Sequence, residues 1–244
     1  MESATLTACA LAVMGLFAVG SAQATPVTFF GEDGNPTGST PIAHPNSDAA
    51  QASFFANLTN IGTDGMDTVA SGVTTVPVNF ANGVTATLTG GTIQNYSSAG
   101  RFAISSPNYY NTFSDTFDIG FSSPIAAFGF YATDIGDFGG QLTLTLTDIN
   151  NAHTSLTVPN LIGSGGSQPE NGSVLYYGFY DTGDTYTNVT FGNSSGGVDG
   201  FGFDNFSVGT ASQVVPRPTV PEPPSIALLG VGLVALSAVR RRRA

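Results

Sequence analysis

Lysine and tryptophan are absent from this 244-residue chain, cysteine occurs once and histidine twice. Five of its six basic residues are Arg217 and Arg240 to Arg243, which leaves Arg101 as the one Lys or Arg between residues 25 and 215. Phosphate backbones are held by clustered Lys and Arg, so nucleic acid is excluded as a partner. The same body holds fifteen of the seventeen acidic residues, all but Glu2 and Glu222, and so carries about −14. Cys9, alone near the N-terminus, allows no internal disulfide and no Cys-based metal centre. His44 and His153 have no sequence-adjacent partner, and no His-Glu-x-x-His, P-loop or nucleophile elbow is read. Catalysis has little material here. The enzyme reading that survives is a secreted polysaccharide-active hydrolase, which needs only a carboxylate pair across a sugar bond.

What is present favours β structure. The chain is 9% charged but 41% hydrophobic, with 18 Phe and 8 Tyr, unlike a solvating tract. Val84, Ala86 and Leu88 alternate with Thr85, Thr87 and Thr89, and Leu142, Leu144 and Leu146 alternate with Thr143, Thr145 and Thr147. A period of two with one apolar and one hydroxyl face predicts antiparallel strands packed on one side. Further strands are predicted at 27–30, 73–80, 102–105, 112–121, 125–133, 154–158, 174–180, 186–191 and 201–208, separated by Gly- and Asn-rich turns. A helix is predicted over 47–58, capped by Asn46 or Ser47, with Ala50, Phe54, Phe55 and Leu58 on one face. It is expected to cover a sheet edge or an open end. About ten strands without helical crossovers predict a mainly β fold, a single antiparallel β-sandwich of jelly-roll type with one short helix.

The two ends have another character. Residues 6–20 are mostly apolar and Ala22-Gln23-Ala24 supplies the small-residue pattern that signal peptidase needs, so residues 1–24 read as a signal-peptide helix cut after Ala24. Near the other end Val220-Pro221-Glu222-Pro223 precedes an uncharged run over 225–239 and then Arg240-Arg241-Arg242-Arg243. In lipid such a run is a helix. Its fifteen residues span about 22 Å against a hydrocarbon core of about 30 Å, which is short for a permanent transmembrane helix and suits a transient one. Four arginines beyond it leave that side in the cytoplasm. The Val-Pro-Glu-Pro motif, the apolar helix and the arginine cluster resemble the PEP-CTERM sorting signal of exopolysaccharide-producing Gram-negative bacteria. The resemblance implies recognition by exosortase, removal of the tail near Pro-Glu-Pro after transient holding at the inner membrane, and delivery to the cell surface or to a biofilm matrix rich in exopolysaccharide. A plain C-terminal membrane anchor is the alternative. The expected organisation is signal peptide 1–24, ectodomain 25–210, linker 211–219 and sorting signal 220–244.

Within the ectodomain an echo pairs Phe128-Gly129-Phe130-Tyr131 with Tyr177-Gly178-Phe179-Tyr180. Each is followed by aspartates: Asp134 and Asp137 after the first, Asp181 and Asp184 after the second. If their loops share one end of the sandwich, these four carboxylates suit Ca²⁺, which takes six to eight oxygens. The other reading is that Asp and Gly simply make turns. The acidic body also suits a polysaccharide mesh in which divalent cations bridge carboxylates. Together with the final segment 198–208, the echo resembles the lectin-like sandwich ectodomains common among PEP-CTERM proteins. Tyr109, Tyr110, Tyr176 and Tyr177 are candidate rings for stacking on sugars at a loop rim, with core positions as the equal alternative. Neighbouring residues of a strand face opposite ways, so at most one of each pair is expected in the core.

Overall fold

The computed structural model describes residues 25–35, 38, 40–105, 107–114, 116–135, 140–161, 171–194 and 199–215. In chain order these form β1 (Val27–Asp33), α1 (Pro45–Phe55), β2 (Gly62–Asp64), β3 (Val76–Asn79), β4 (Thr85–Thr89), β5 (Thr92–Gln94), β6 (Tyr109–Thr112) and β7 (Thr116–Ile125). There follow β8 (Ala127–Thr133), β9 (Leu142–Asp148), β10 (His153–Thr157), β11 (Val174–Tyr180), β12 (Tyr186–Asn193), β13 (Phe201–Gly209) and a 3₁₀ turn at Ala211–Gln213. The expected signal peptide, the sorting signal and its apolar run lie outside the described residues. Among those described, no helix is long and apolar enough to cross a membrane.

The strands pair antiparallel in two sheets. One has the order β1-β11-β8-β13-β6-β5, with β2 also on β13, and the other β10-β9-β12-β7-β4-β3. In the six-stranded sheet the alternation reads as expected: Leu142, Leu144 and Leu146 are buried between the sheets while Thr143, Thr145 and Thr147 face out. Pro77, which cannot donate to a ladder, sits on the edge strand β3. Aromatic rings fill the interior, with Phe117 stacked on Phe191 at 4.1 Å.

The seven-stranded sheet departs from that pattern, because β8 and β11 are buried at all seven positions. Its inner face meets the other sheet; its outer face carries a second cluster of Phe54, Phe102, Tyr131, Tyr176 and Tyr180. Helix α1 and the segment after β5 supply that cover. The echo is explained here. β8 and β11 are antiparallel neighbours, and Gly129 stands directly opposite Gly178. A Cβ on Gly178 would lie 3.0 Å from Phe54 Cγ, and one on Gly129 3.0 Å from Phe54 Cε1 and 2.3 Å from the Tyr176 hydroxyl. The repeated glycines form the seat of one helix side chain.

The helix cap, one strand boundary and the end of the domain are corrected. The helix is capped from a distance, with Pro45 in its first turn and neither Asn46 nor Ser47 as its cap. The first-turn amides of Asn46 and Ser47 donate to the Asp33 carboxylate of β1 at 3.1 and 2.8 Å, and the Ser47 hydroxyl adds a bond of 2.8 Å. α1 covers the outer face of the edge strand β1, as the edge expectation has it, and extends over its neighbour β11. The predicted strand at 112–121 is two strands in different sheets, β6 and β7. Residues 211–215, read as linker, are packed: Val214 bridges Leu58, and the Val215 amide donates to the Asn57 carbonyl at 2.8 Å.

Candidate functional site

The four-aspartate cation site is not assembled. Asp134 follows β8 and Asp181 follows β11, and the register pairs Thr133 with Val174 and Ala127 with Tyr180. Antiparallel pairing thus sends the two turns to opposite ends of the sheet, roughly 20 Å apart. Asp137 lies outside the described residues. Among the described residues no group of three or more His, Cys, Asp or Glu is placed to hold a metal ion.

The carboxylates hold backbone instead. Asp181 Oδ1 accepts the amides of Gly183 and Asp184 at 2.8 and 3.2 Å, and Oδ2 accepts the Tyr186 hydroxyl at 2.6 Å. Asp148 accepts the amides of Asn150 and Ala152 at 2.7 Å each, and these bonds, Ala152 foremost, hold its carboxyl below the usual carboxylate range. Asp134, in the left-handed region at φ 67°, accepts the Gly172 amide at 2.9 Å and faces Arg101 at 3.8 Å. Asp148, Asp181 and Asp184 nevertheless line one cleft of about 390 Å³ with Ile149, Ala211 and Val214.

Asp204 is a carboxyl set deep among backbone amides. Its Oδ2 accepts the amides of Ile104 and Ser105 at 2.8 Å each and its Oδ1 that of Asn205 at 2.6 Å. Burial nevertheless raises it to about 7. An acid raised in the folded state stabilises fully below its unfolded pKa and loses that contribution as pH rises through the folded value. Between pH 5 and pH 8 the domain is therefore expected to lose on the order of 2–4 kcal/mol from this group. Thermal unfolding at the two pH values measures it, and Asp204→Asn should flatten the difference; an unchanged difference in that variant would show the assignment to be wrong. At 1% exposure Asp204 cannot reach a substrate.

No histidine relay completes a nucleophilic site. A Gly-x-Ser-x-Gly spacing does occur at Gly192-Asn193-Ser194-Ser195-Gly196, but Gly192 and Asn193 are the last residues of β12 and Ser194 Oγ accepts the Gln141 amide at 2.8 Å. His44 pairs with Asp48 at 2.9 Å on the outer side of one sheet, and His153 lies 3.1 Å from Thr147 Oγ1 on the other.

The four candidate stacking tyrosines are all core: Tyr109, Tyr110, Tyr176 and Tyr177 are each exposed by 2% or less. Both members of each pair are buried because this sheet is covered on both faces. The exposed tyrosine is Tyr96, at 60%, and it flanks a hollow of about 330 Å³ lined also by Pro41, Asn95, Ser97, Ile104 and Pro107. Its signal in the sequence is isolation, a single aromatic in the polar run Gln94-Asn95-Tyr96-Ser97-Ser98.

No curated protein matches the chain significantly. Among solved structures, the CBM22-1 xylan-binding domain from Paenibacillus barcinonensis Xyn10C is similar at 10% identity, over 64% of this chain and 94% of that one, with a TM-score of 0.35. A likeness of that degree says nothing about ligand. Residues 219–243 match the model of the PEP-CTERM protein-sorting motif. Behind a two-sheet antiparallel β-sandwich, this chain carries a PEP-CTERM signal, the mark of an exported protein sorted by exosortase to the cell envelope or surface.

Proposed function

We propose that this is a cell-surface or extracellular-matrix protein of a Gram-negative bacterium, held transiently at the inner membrane by its tail, cut by exosortase near Pro221-Glu222-Pro223, and associated with exopolysaccharide through a non-catalytic ectodomain. The sorting motif at 219–243 carries this reading. The non-catalytic part is supported by how the carboxylates are used: Asp181 accepts bonds at both oxygens and Asp148 is held below its usual range. A glycosidase acid needs the opposite shift on a cleft wall.

Intact mass and membrane partitioning of the protein from its host test the reading, with and without alanines at Pro221, Glu222 and Pro223. The native form is expected to end near Glu222 and to leave the membrane, whereas the triple variant keeps its tail and stays there. A full-length tail in the membrane in both forms would make this a plainly anchored surface protein and remove the exosortase step.

A further inference from the structure

Seven of the eight tyrosines are buried, and the eighth, Tyr96, is presented on a held backbone. The hydroxyl of buried Tyr109 lies 2.6 Å from Gln94 Oε1 and 3.1 Å from the Tyr96 carbonyl, fixing the wall that carries the exposed ring. The facing wall is fixed by Asp204, which takes the Ile104 and Ser105 amides. Pro41 is steadied by the Asn35 side chain, whose amide donates to the Thr40 carbonyl at 2.8 Å. Walls set in advance reduce the ordering cost of binding. The lining is an exposed aromatic face, two prolines and Ile104, beside the amide of Asn95 and the hydroxyl of Ser97. Polar and apolar surface share this lining about evenly, and an amphipathic ring with a wet edge suits a partner that is itself apolar on one face and polar at its rim.

A pyranose ring is such a partner. No charged side chain lines the hollow, although the body around it carries about −14. That field repels polyanionic chains and leaves neutral ones unaffected. We propose that the hollow beside Tyr96 is a subsite for one sugar ring of a neutral polysaccharide, which stacks on Tyr96 and hydrogen-bonds to Asn95 and Ser97. The assignment rests on the polysaccharide-associated reading above and supplies its site.

Affinity gel electrophoresis of the protein purified from its host tests it, with hydroxyethylcellulose, xylan, dextran, alginate and the host's own matrix polysaccharide in the gel, each with and without a chelator. At least one neutral polysaccharide is expected to retard the native protein without help from divalent cations. Tyr96→Ala should bind it at least about tenfold more weakly, Tyr96→Trp should restore binding, and the exposed position should leave Tm within about 2 °C. Equal retardation of native protein and Tyr96→Ala by the matrix polysaccharide would overturn the subsite and leave the matrix reading standing. Binding confined to alginate and lost with chelator would also overturn it, in favour of cation bridging. Retardation by none of the five would overturn both.

Discussion

Replacing Arg101 with methionine is expected to cost about 3–5 kcal/mol of folding stability, the usual effect of removing one partner of a buried ion pair. Arg101 is the sole Lys or Arg of the body. Its side chain is 8% exposed, its guanidinium lies 3.8 Å from the Asp134 carboxylate, itself 3% exposed, and its charge sits 4.4 Å from the centroid of the Phe113 ring. The placement is built by local backbone. Ser98 and Arg101 exchange amide-carbonyl bonds of 2.9 and 3.0 Å around Ala99 and Gly100, both at positive φ, which makes a tight hairpin turn. Gly100 is required there, since a Cβ would lie 2.0 Å from Asp134 Oδ1.

Methionine keeps the apolar volume but leaves the Asp134 carboxylate without its cation in a site closed to water. For a domain of this size the loss corresponds to a fall in Tm of roughly 6–20 °C. Urea unfolding and calorimetry read it. Asp134→Asn introduced together with Arg101→Met should recover at least half of the loss, because the buried negative charge is then gone. If Arg101→Met alone stays within about 1 kcal/mol of native, the pair is an ordinary exposed one in solution and the interpretation fails.

Phe54→Ala is the second large effect, about 3–5 kcal/mol, as for other large-to-small changes of buried aromatics. The ring is fully buried, lies over the paired glycines Gly129 and Gly178, and meets Phe29, Phe55 and Tyr176 at centroid distances of 5.7, 5.8 and 6.1 Å. Nothing rigid can relax into the space it would vacate, since the floor is sheet backbone. Phe55→Ala, at a half-buried neighbouring position, serves as the comparison and should cost clearly less. Equal small losses in the two variants, measured by urea unfolding, would mean that α1 is not docked through Phe54. The reverse change is also informative. Gly178→Ala places a methyl 3.0 Å from Phe54 and should destabilise, less in a Phe54→Leu background than in the native one.

These two sites mark where local reading fell short. The echo of Phe-Gly-Phe-Tyr with Tyr-Gly-Phe-Tyr was visible as a repeat, and its aspartates suggested a shared loop site. Register decides otherwise: antiparallel neighbours bring their glycines together and part their C-terminal aspartates. The tyrosine pairs failed for a related reason. Opposite-facing neighbours imply one exposed ring only where a sheet has a wet face, and α1 with the segment around Phe102 removes that face. Tyr96 went unnoticed because nothing periodic surrounds it, and only the closing of Pro41, Ile104 and Pro107 around it makes a hollow.

Composition and period alone determined much about this protein. Two-residue alternation makes antiparallel strands, and the order of proline motif, apolar run and arginines specifies the sorting signal, since each is a property of a continuous stretch. Tertiary structure decided what depends on residues distant in the chain: the Asp33 cap on α1, the glycine seat for Phe54, the pairing of Arg101 with Asp134, and which tyrosine meets solvent. The physical reason is that burial and charge pairing are set by which faces meet, and strand order is not written in any one strand.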